Sequence, residues 1–174
     1  MSNGGNSYYG KYRGTVVNNV DPMQKARIQA IVPDVSNIAL TSWAMPCVPI
    51  SGLQSGVFAV PSIGSGVWVE FEQGDPDYPI WVGGWWGSAA EIPVHALAAP
   101  PSTPNIVLQS VGQNSLTVFG APGMGVTLSV GPIANPASPK IVLNQAGVLI
   151  TNGVASITMV GPTVDINKGA LTIT

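Results

Sequence analysis

The chain is short of charge. Lys, Arg, Asp and Glu make up 8% of its 174 residues, against about 25% in an ordinary globular domain. The formal net charge of -2 gives no electrostatic reason to hold nucleic acid. A single cysteine, Cys47, excludes an intrachain disulfide framework and cannot build a zinc site by itself. A single histidine, His95, leaves no Ser-His-Asp set to assemble. No run of about 18 apolar residues exists, so no membrane span is expected. The opening MSNGGNSYYGKYRG has no apolar core of a secretory signal. The expectation is therefore a protein made and assembled in a bacterial cytoplasm. Later delivery outside the cell by another machine is compatible with that. No Walker or Rossmann glycine motif precedes a credible helix. Low charge with high apolarity also argues against disorder, which needs the reverse.

What the chain has instead is turn residues and alternation. Gly occurs 21 times and Pro 16, so turns are frequent and long helices are not expected. From Tyr8 the pattern is β. Candidate strands are Tyr12 to Val20, with Gly14 as a bulge or bend, and Ala26 to Val32. The second alternates Ile28, Ala30 and Val32 on one face and is closed by Pro33. Ser42 to Ile50, broken by Pro46 and Pro49, reads as an edge strand. In Gly66 to Glu72, Val67, Val69 and Phe71 should point in and Trp68, Glu70 and Glu72 out. Pro79 to Trp86 carries a Gly-Gly kink. Asp21-Pro22 and Gly74 to Tyr78 (GDPDY) are turns. Five short bent strands suit a small closed barrel such as an OB-fold, which also removes exposed edges.

Ser88 to Asn105 is Pro-rich and reads as a semi-rigid connector. The domain expectation is a barrel over 1–87, a linker over 88–105 and a second domain over 106–174. In the second domain, runs begin near residues 106, 116, 126, 141, 148, 157, 164 and 171. Each alternates apolar with small polar residues, as half-buried strands do. Charge along this tail is limited to Lys140, Asp165 and Lys168, far too little for an ordinary free surface. Two windings fit. One is a single-chain β-helix. The other is three chains around one axis, with apolar rows inside and Ser, Thr and Asn outside. The composition favours three chains; the register stays open.

Three stretches resemble the N-terminal domain of contractile-system spike proteins, the phage baseplate assembly protein V and VgrG proteins. They are Gly14 to Pro33 (GTVVNNVDPMQKARIQAIVP), Trp43 to Glu72, and Gly74 to Gly83 (GDPDYPIWVG), where Tyr78 stands at a common Arg position. The match covers about residues 8 to 87. The tail is similar in architecture rather than in motif. The resemblance implies an all-β chain: an OB-fold barrel followed by an intertwined triple-stranded β-helix, or β-prism. It implies a homotrimeric, non-enzymatic spike of a phage tail or injection system. The barrels would seat on the tube hub, the prism would lead towards the target membrane, and a PAAR-like tip protein would dock at Leu171, Thr172, Ile173 and Thr174. The family's motif residues carry over to Asp21, Pro22, Gly74, Asp75, Pro76 and Asp77. There is no room for an inserted lysozyme domain. The ending LTIT lacks the His-x-His of iron-tipped members, so no cofactor or metal is expected.

Other residues invite other chemistry. Glu70 and Glu72, about 6–7 Å apart on a strand face, have a spacing that glycosidase carboxylates use; a solvated or hub-facing strand is the simpler reading. Asp75 and Asp77 fall short of a calcium loop and suit turn formation. Trp81, Trp85 and Trp86 could stack on sugars or bases, or pack in the barrel and against neighbouring protomers. Cys47 is expected to be a buried, inert thiol. His95 is expected to be a linker residue without a partner. Two rival functions follow: a carbohydrate- or oligonucleotide-binding OB module on a β-solenoid stalk, and a compact hydrolase using Glu70 and Glu72.

Overall fold

A computed structural model describes residues 7–132 and 135–173. The chain divides into two compact units, Met1–Glu91 and Ile92–Thr174.

The first unit is a five-stranded sheet. Its strands are β1 (Tyr12–Asn18), β2 (Gln29–Ile31), β3 (Met45–Pro46), β6 (Gly66–Phe71) and β7 (Pro79–Trp85). Their order is β2-β1-β6-β7-β3, with β3 parallel to β7. The two edges are tied together beside the ladder. Ile28 N–H donates to Ala44 O at 3.2 Å and Ala44 N–H returns to Ile28 O at 2.8 Å. A small hairpin, β4 (Ser51–Gly52) with β5 (Ser55–Gly56), stands apart from this sheet.

The core follows the period-2 pattern. Ile28, Ala30 and Val32 are buried from one segment and Val67, Val69 and Phe71 from another, with Val16, Ala44 and Trp81 between them. The strands are shorter than the alternation implies, for local reasons. In the segment after Asp21 the N–H groups of Met23, Lys25 and Arg27 go to a carboxylate, so β2 begins only at Gln29. Pro46 and Pro49 have no N–H to give a ladder, and β3 is two residues long. Pro33 closes β2 and then opens a short helix, α1 (Pro33–Ser36), as its first residue.

Gly14 is not the bulge. The extra residue is Val17, between the pairs Val16–Ala30 and Asn18–Gln29. Gly14 instead lets strands pack closely: a Cβ there would lie 3.2 Å from Val69 Cγ2. A second irregularity falls at Val82, between the pairs Trp68–Gly83 and Val69–Trp81.

The second unit carries α2 (Val94–Leu97) and eight strands: β8 (Ile106–Gln109), β9 (Ser115–Val118), β10 (Val126–Ser129), β11 (Lys140–Asn144), β12 (Gly147–Thr151), β13 (Ser156–Val160), β14 (Thr163–Ile166) and β15 (Leu171–Ile173). They form one antiparallel meander in strict chain order. A single-chain solenoid would pair strands a full coil apart; these pair with their sequence neighbours. Asx turns set the tight connections. Asn144 Oδ1 accepts the N–H groups of Ala146 and Gly147 at 2.9 and 3.2 Å, and Asn152 Oδ1 those of Val154 and Ala155 at 3.0 and 2.7 Å. Seven gaps of about 4.8 Å make the sheet about 34 Å long across its strands. No helix among the described residues is long and apolar enough to cross a membrane.

Candidate assembly interface

The meander's register sorts its side chains completely by face. Ile106, Val118, Val126, Leu143, Val148, Met159, Val164 and Ile173 pair successively across seven ladders. Leu108, Leu116, Leu128, Ile141, Ile150, Ile157, Ile166 and Leu171 do the same two residues away. Residues two apart on a strand share a face, so sixteen apolar side chains stand in two columns on one face. Nothing among the described residues covers them fully: Leu128, Leu143 and Ile150 are among those that stay exposed. Such a continuous apolar face is far beyond what a free monomer shows.

The opposite face reads Thr117, Thr127, Thr158 and Asp165 in one column and Ser115, Ser129, Lys140 and Thr151 in the other. Val107, Val142 and Leu149 interrupt it. Within the chain part of this polar face is buried, and Ser115 and Ser129 meet hydroxyl to hydroxyl at 2.8 Å. At one end of the sheet, among the described residues, β15 pairs only with β14. Leu171 and Ile173 on it are exposed; Thr174 lies outside the described residues.

The motif residues of the first unit organise turns. The Asp21 side chain is 3% exposed and accepts from the N–H groups of Met23, Lys25 and Arg27 at 2.9, 2.7 and 3.3 Å, and from Arg27 Nε and Nη2 at 3.0 and 2.6 Å. The Arg27 guanidinium, helped by those amides, holds the Asp21 carboxyl well below the usual carboxylate range. The carboxylate in turn raises Arg27. Pro22 is exposed at the start of that turn. Gly74 is buried with φ +81°, and its carbonyl accepts Tyr8 N–H at 2.8 Å. Asp75 Oδ1 accepts Asp77 N–H at 3.0 Å, and Asp77 O accepts Ser42 Oγ–H at 2.7 Å. Pro76 is exposed between them. The GDPD turn thus stitches the β6–β7 connection to two distant segments. Among the described residues no three His, Cys, Asp or Glu groups are placed to share a metal.

Glu70 and Glu72 are not a strand pair. Glu70 is ion-paired to Lys11, and Glu72 has left the strand for a 3-10 turn over Glu72–Gly74. The three tryptophans separate. Trp81 is buried, with Nε1–H on Ala26 O at 3.0 Å. Trp85 is half-buried, with Nε1–H on Val67 O at 3.2 Å. Trp86 is exposed. Sequence reasoning missed the Arg13 guanidinium, which lies 5.6 Å from the Trp68 ring and 5.2 Å from that of Trp85. Its signal was the cross-strand position of Arg13 opposite Trp68. Cys47 is exposed, not buried: Ala44 is buried and Met45 exposed, so a period of two puts Cys47 on the outer side with Met45. His95 sits in α2 with its Nε2 buried and without a hydrogen-bond partner; burial pushes its pKa below the ordinary value.

Two family models match this chain. Residues 12–86 match the type VI secretion system/phage-baseplate injector OB domain. Residues 105–172 match the phage baseplate V C-terminal trimerisation domain. Together the two matches support a baseplate spike family for this chain. No curated protein matches it. In this family's terms, the apolar face lies wholly within the segment matched to the trimerisation domain, except for Ile173 at its rim. The Asp21 and GDPD turns lie within the OB segment. These matches support a baseplate structural role and a homotrimer, and suggest a protein without catalysis.

Proposed function

We propose that this protein is a trimeric spike, mechanical rather than catalytic. Three copies bring their apolar faces together around one axis and close a β-prism. The barrels seat on the tube hub of a phage tail or related injection machine, and the prism leads towards the target envelope. A separate β-rich tip protein of the PAAR type adds to the free edge at Leu171–Ile173, as sheet edges accept further strands. The observation that carries this reading is the unbroken apolar face of sixteen side chains in register. A narrow prism with every interior strand hydrogen-bonded on both sides would concentrate a contraction force on a small area. Because three chains must separate together, it would resist unfolding under load.

The test is native mass by light scattering, for the full chain and for the chain cut after Ser102. The expected masses are three chains and one chain. A full-length monomer in dilute solution would overturn the prism.

A further inference from the structure

The first unit has an apolar surface that neither its core nor its motif turns use. Residues 35–69 contain no Asp, Glu, Lys, Arg or His, more than a third of a unit that otherwise carries most of the chain's charge. Within this stretch the β4–β5 hairpin presents Leu53 at its tip, 97% exposed, and Phe58 follows at 74%. Beside it lies a groove of about 420 Å³, walled by Pro46, Val48, Ile50, Val57 and Phe58, with Lys25 as the single charged residue on its rim. The hairpin is held by two paired residues on each strand and by Val57 N–H on Ile50 O at 3.1 Å. A side chain as apolar as Leu53 standing almost fully in water beside an apolar groove is a knob next to a hole.

We propose that this groove is where the barrels of neighbouring copies meet, the hairpin of one entering the groove of the next. The proposal rests on the trimer reading above. The occupant follows from two arguments. First, the same chain continues into a trimerisation domain, so two further copies of this surface are tethered nearby. Tethering gives effective concentrations that reach the millimolar range, above those of any free competitor. Second, contact between identical domains sets like surfaces against each other. A charged patch would repel its own copy; this one carries almost no charge. The hairpin's Ser51, Gln54, Ser55 and Gly56 help to wall the groove, but its tip, Leu53, does not; tip and groove are thus distinct surfaces, so the contact is head-to-tail, and such contacts form rings when the rotation closes. Three copies on one axis supply that rotation.

The experiment keeps the full chain. One preparation replaces Phe58 by the photo-crosslinker p-benzoylphenylalanine, and a second replaces Tyr78, which is similarly exposed at 60% but lies on the GDPDY turn. Both are irradiated after their native mass is measured. The expected result is a chain-to-chain product several-fold higher at position 58, mapped by mass spectrometry to the groove or hairpin of the second copy. Adding Leu53→Asp should reduce that product while the mass stays at three chains. A three-chain mass with no excess product at position 58 would overturn the barrel contact and leave the prism standing. A one-chain mass would overturn both.

Discussion

The two faces of β12 offer the sharpest test of the assembly. Leu149 and Ile150 are adjacent, similar in volume and on opposite faces of the same strand. Eleven of the sixteen face residues are more than a third exposed in the single chain, and their exposures together amount to about five whole residues. At about 1.5–3 kcal/mol for each large apolar side chain taken out of water, covering the face contributes roughly 8–16 kcal/mol per protomer. That range is an upper bound, because it takes every one of these side chains as completely covered in the assembly. It is of the same order as the cost of bringing partners together, about 4–15 kcal/mol. Ile150→Asp removes one apolar contact and puts a carboxylate into the closed face. The effective desolvation penalty is several kcal/mol per ion, and it is incurred three times at one level of the prism, with mutual repulsion added. Leu149→Asp places the same charge on the outer face beside Val142 and Thr158, where water can reach it. Light scattering and thermal melts should show Ile150→Asp losing the three-chain mass, or melting far below the parent, while Leu149→Asp keeps the mass and shifts Tm modestly. If both variants stay trimeric with equal melts, or if Leu149→Asp does equal damage, the apolar face is not the interface.

Asp21→Ala should lower the melting temperature of the barrel, because three backbone N–H groups and Arg27 lose their acceptor together. In the parent the folded-state pKa of Asp21 lies below its ordinary 3.8, so its stabilisation is present above that value and is lost as pH falls below it. The melting temperature of Asp21→Ala should therefore fall less steeply than the parent's in that acid range. His95 is depressed below its ordinary 6.5. Its folded form favours the neutral imidazole, so the second unit should lose stability as pH drops through 6.5 and the unfolded chain takes up a proton. His95→Phe, read by melts across that range, should flatten the slope. Trp81→Phe keeps most of the ring but leaves the Ala26 carbonyl without its donor. Urea unfolding should report a loss of about 1–3 kcal/mol.

Most of the core was legible because it obeys a period of two. In ARIQAIV and GVWVEF every residue expected inside the barrel is inside, since a strand has no other way to hide an apolar side chain. The period fails where the backbone departs from a plain strand. The bulge at Val17 was expected at Gly14, because glycine marks both a bend and a close approach and only packing decides between them. Trp81 and Trp85, four apart, fall on opposite faces because the irregularity at Val82 shifts the alternation of β7: Trp81 is buried opposite Val69, Trp85 lies beside Trp68 and Arg13, and Trp86 stands beyond the strand's end. Cys47 was misread because the apolar residues around it suggested burial, whereas it lies two residues from exposed Met45 and shares its outward side. The Asp21 turn was legible as a turn but not as a node of five hydrogen bonds, since the donors become a cluster only after the chain has bent. In the tail the strands could be read and their pairing could not. Alternation says which face a residue takes; it does not say whether the next strand is a sequence neighbour or one coil away.

That last distinction bears on what the sheet needs from other molecules. A meander leaves one apolar face and two edges, whereas a closed barrel leaves neither. Bringing three copies together hides the face but does nothing for the edges, which lie at opposite ends of the stack. The two ends differ. Beside β8 the chain supplies its own cover: α2 packs against that strand, and Asn105 ties the segment down, donating to His95 O at 2.8 Å and accepting Gly120 N–H at 3.1 Å. Beside β15 the described residues supply no such helix, and Leu171 and Ile173 stand exposed. Among the described residues the stack is covered at one end and not at the other, which gives it a direction. On the reading proposed above, a further β-protein adds beside β15, where the described residues present apolar side chains rather than the charges or prolines that blunt an edge meant to stay free.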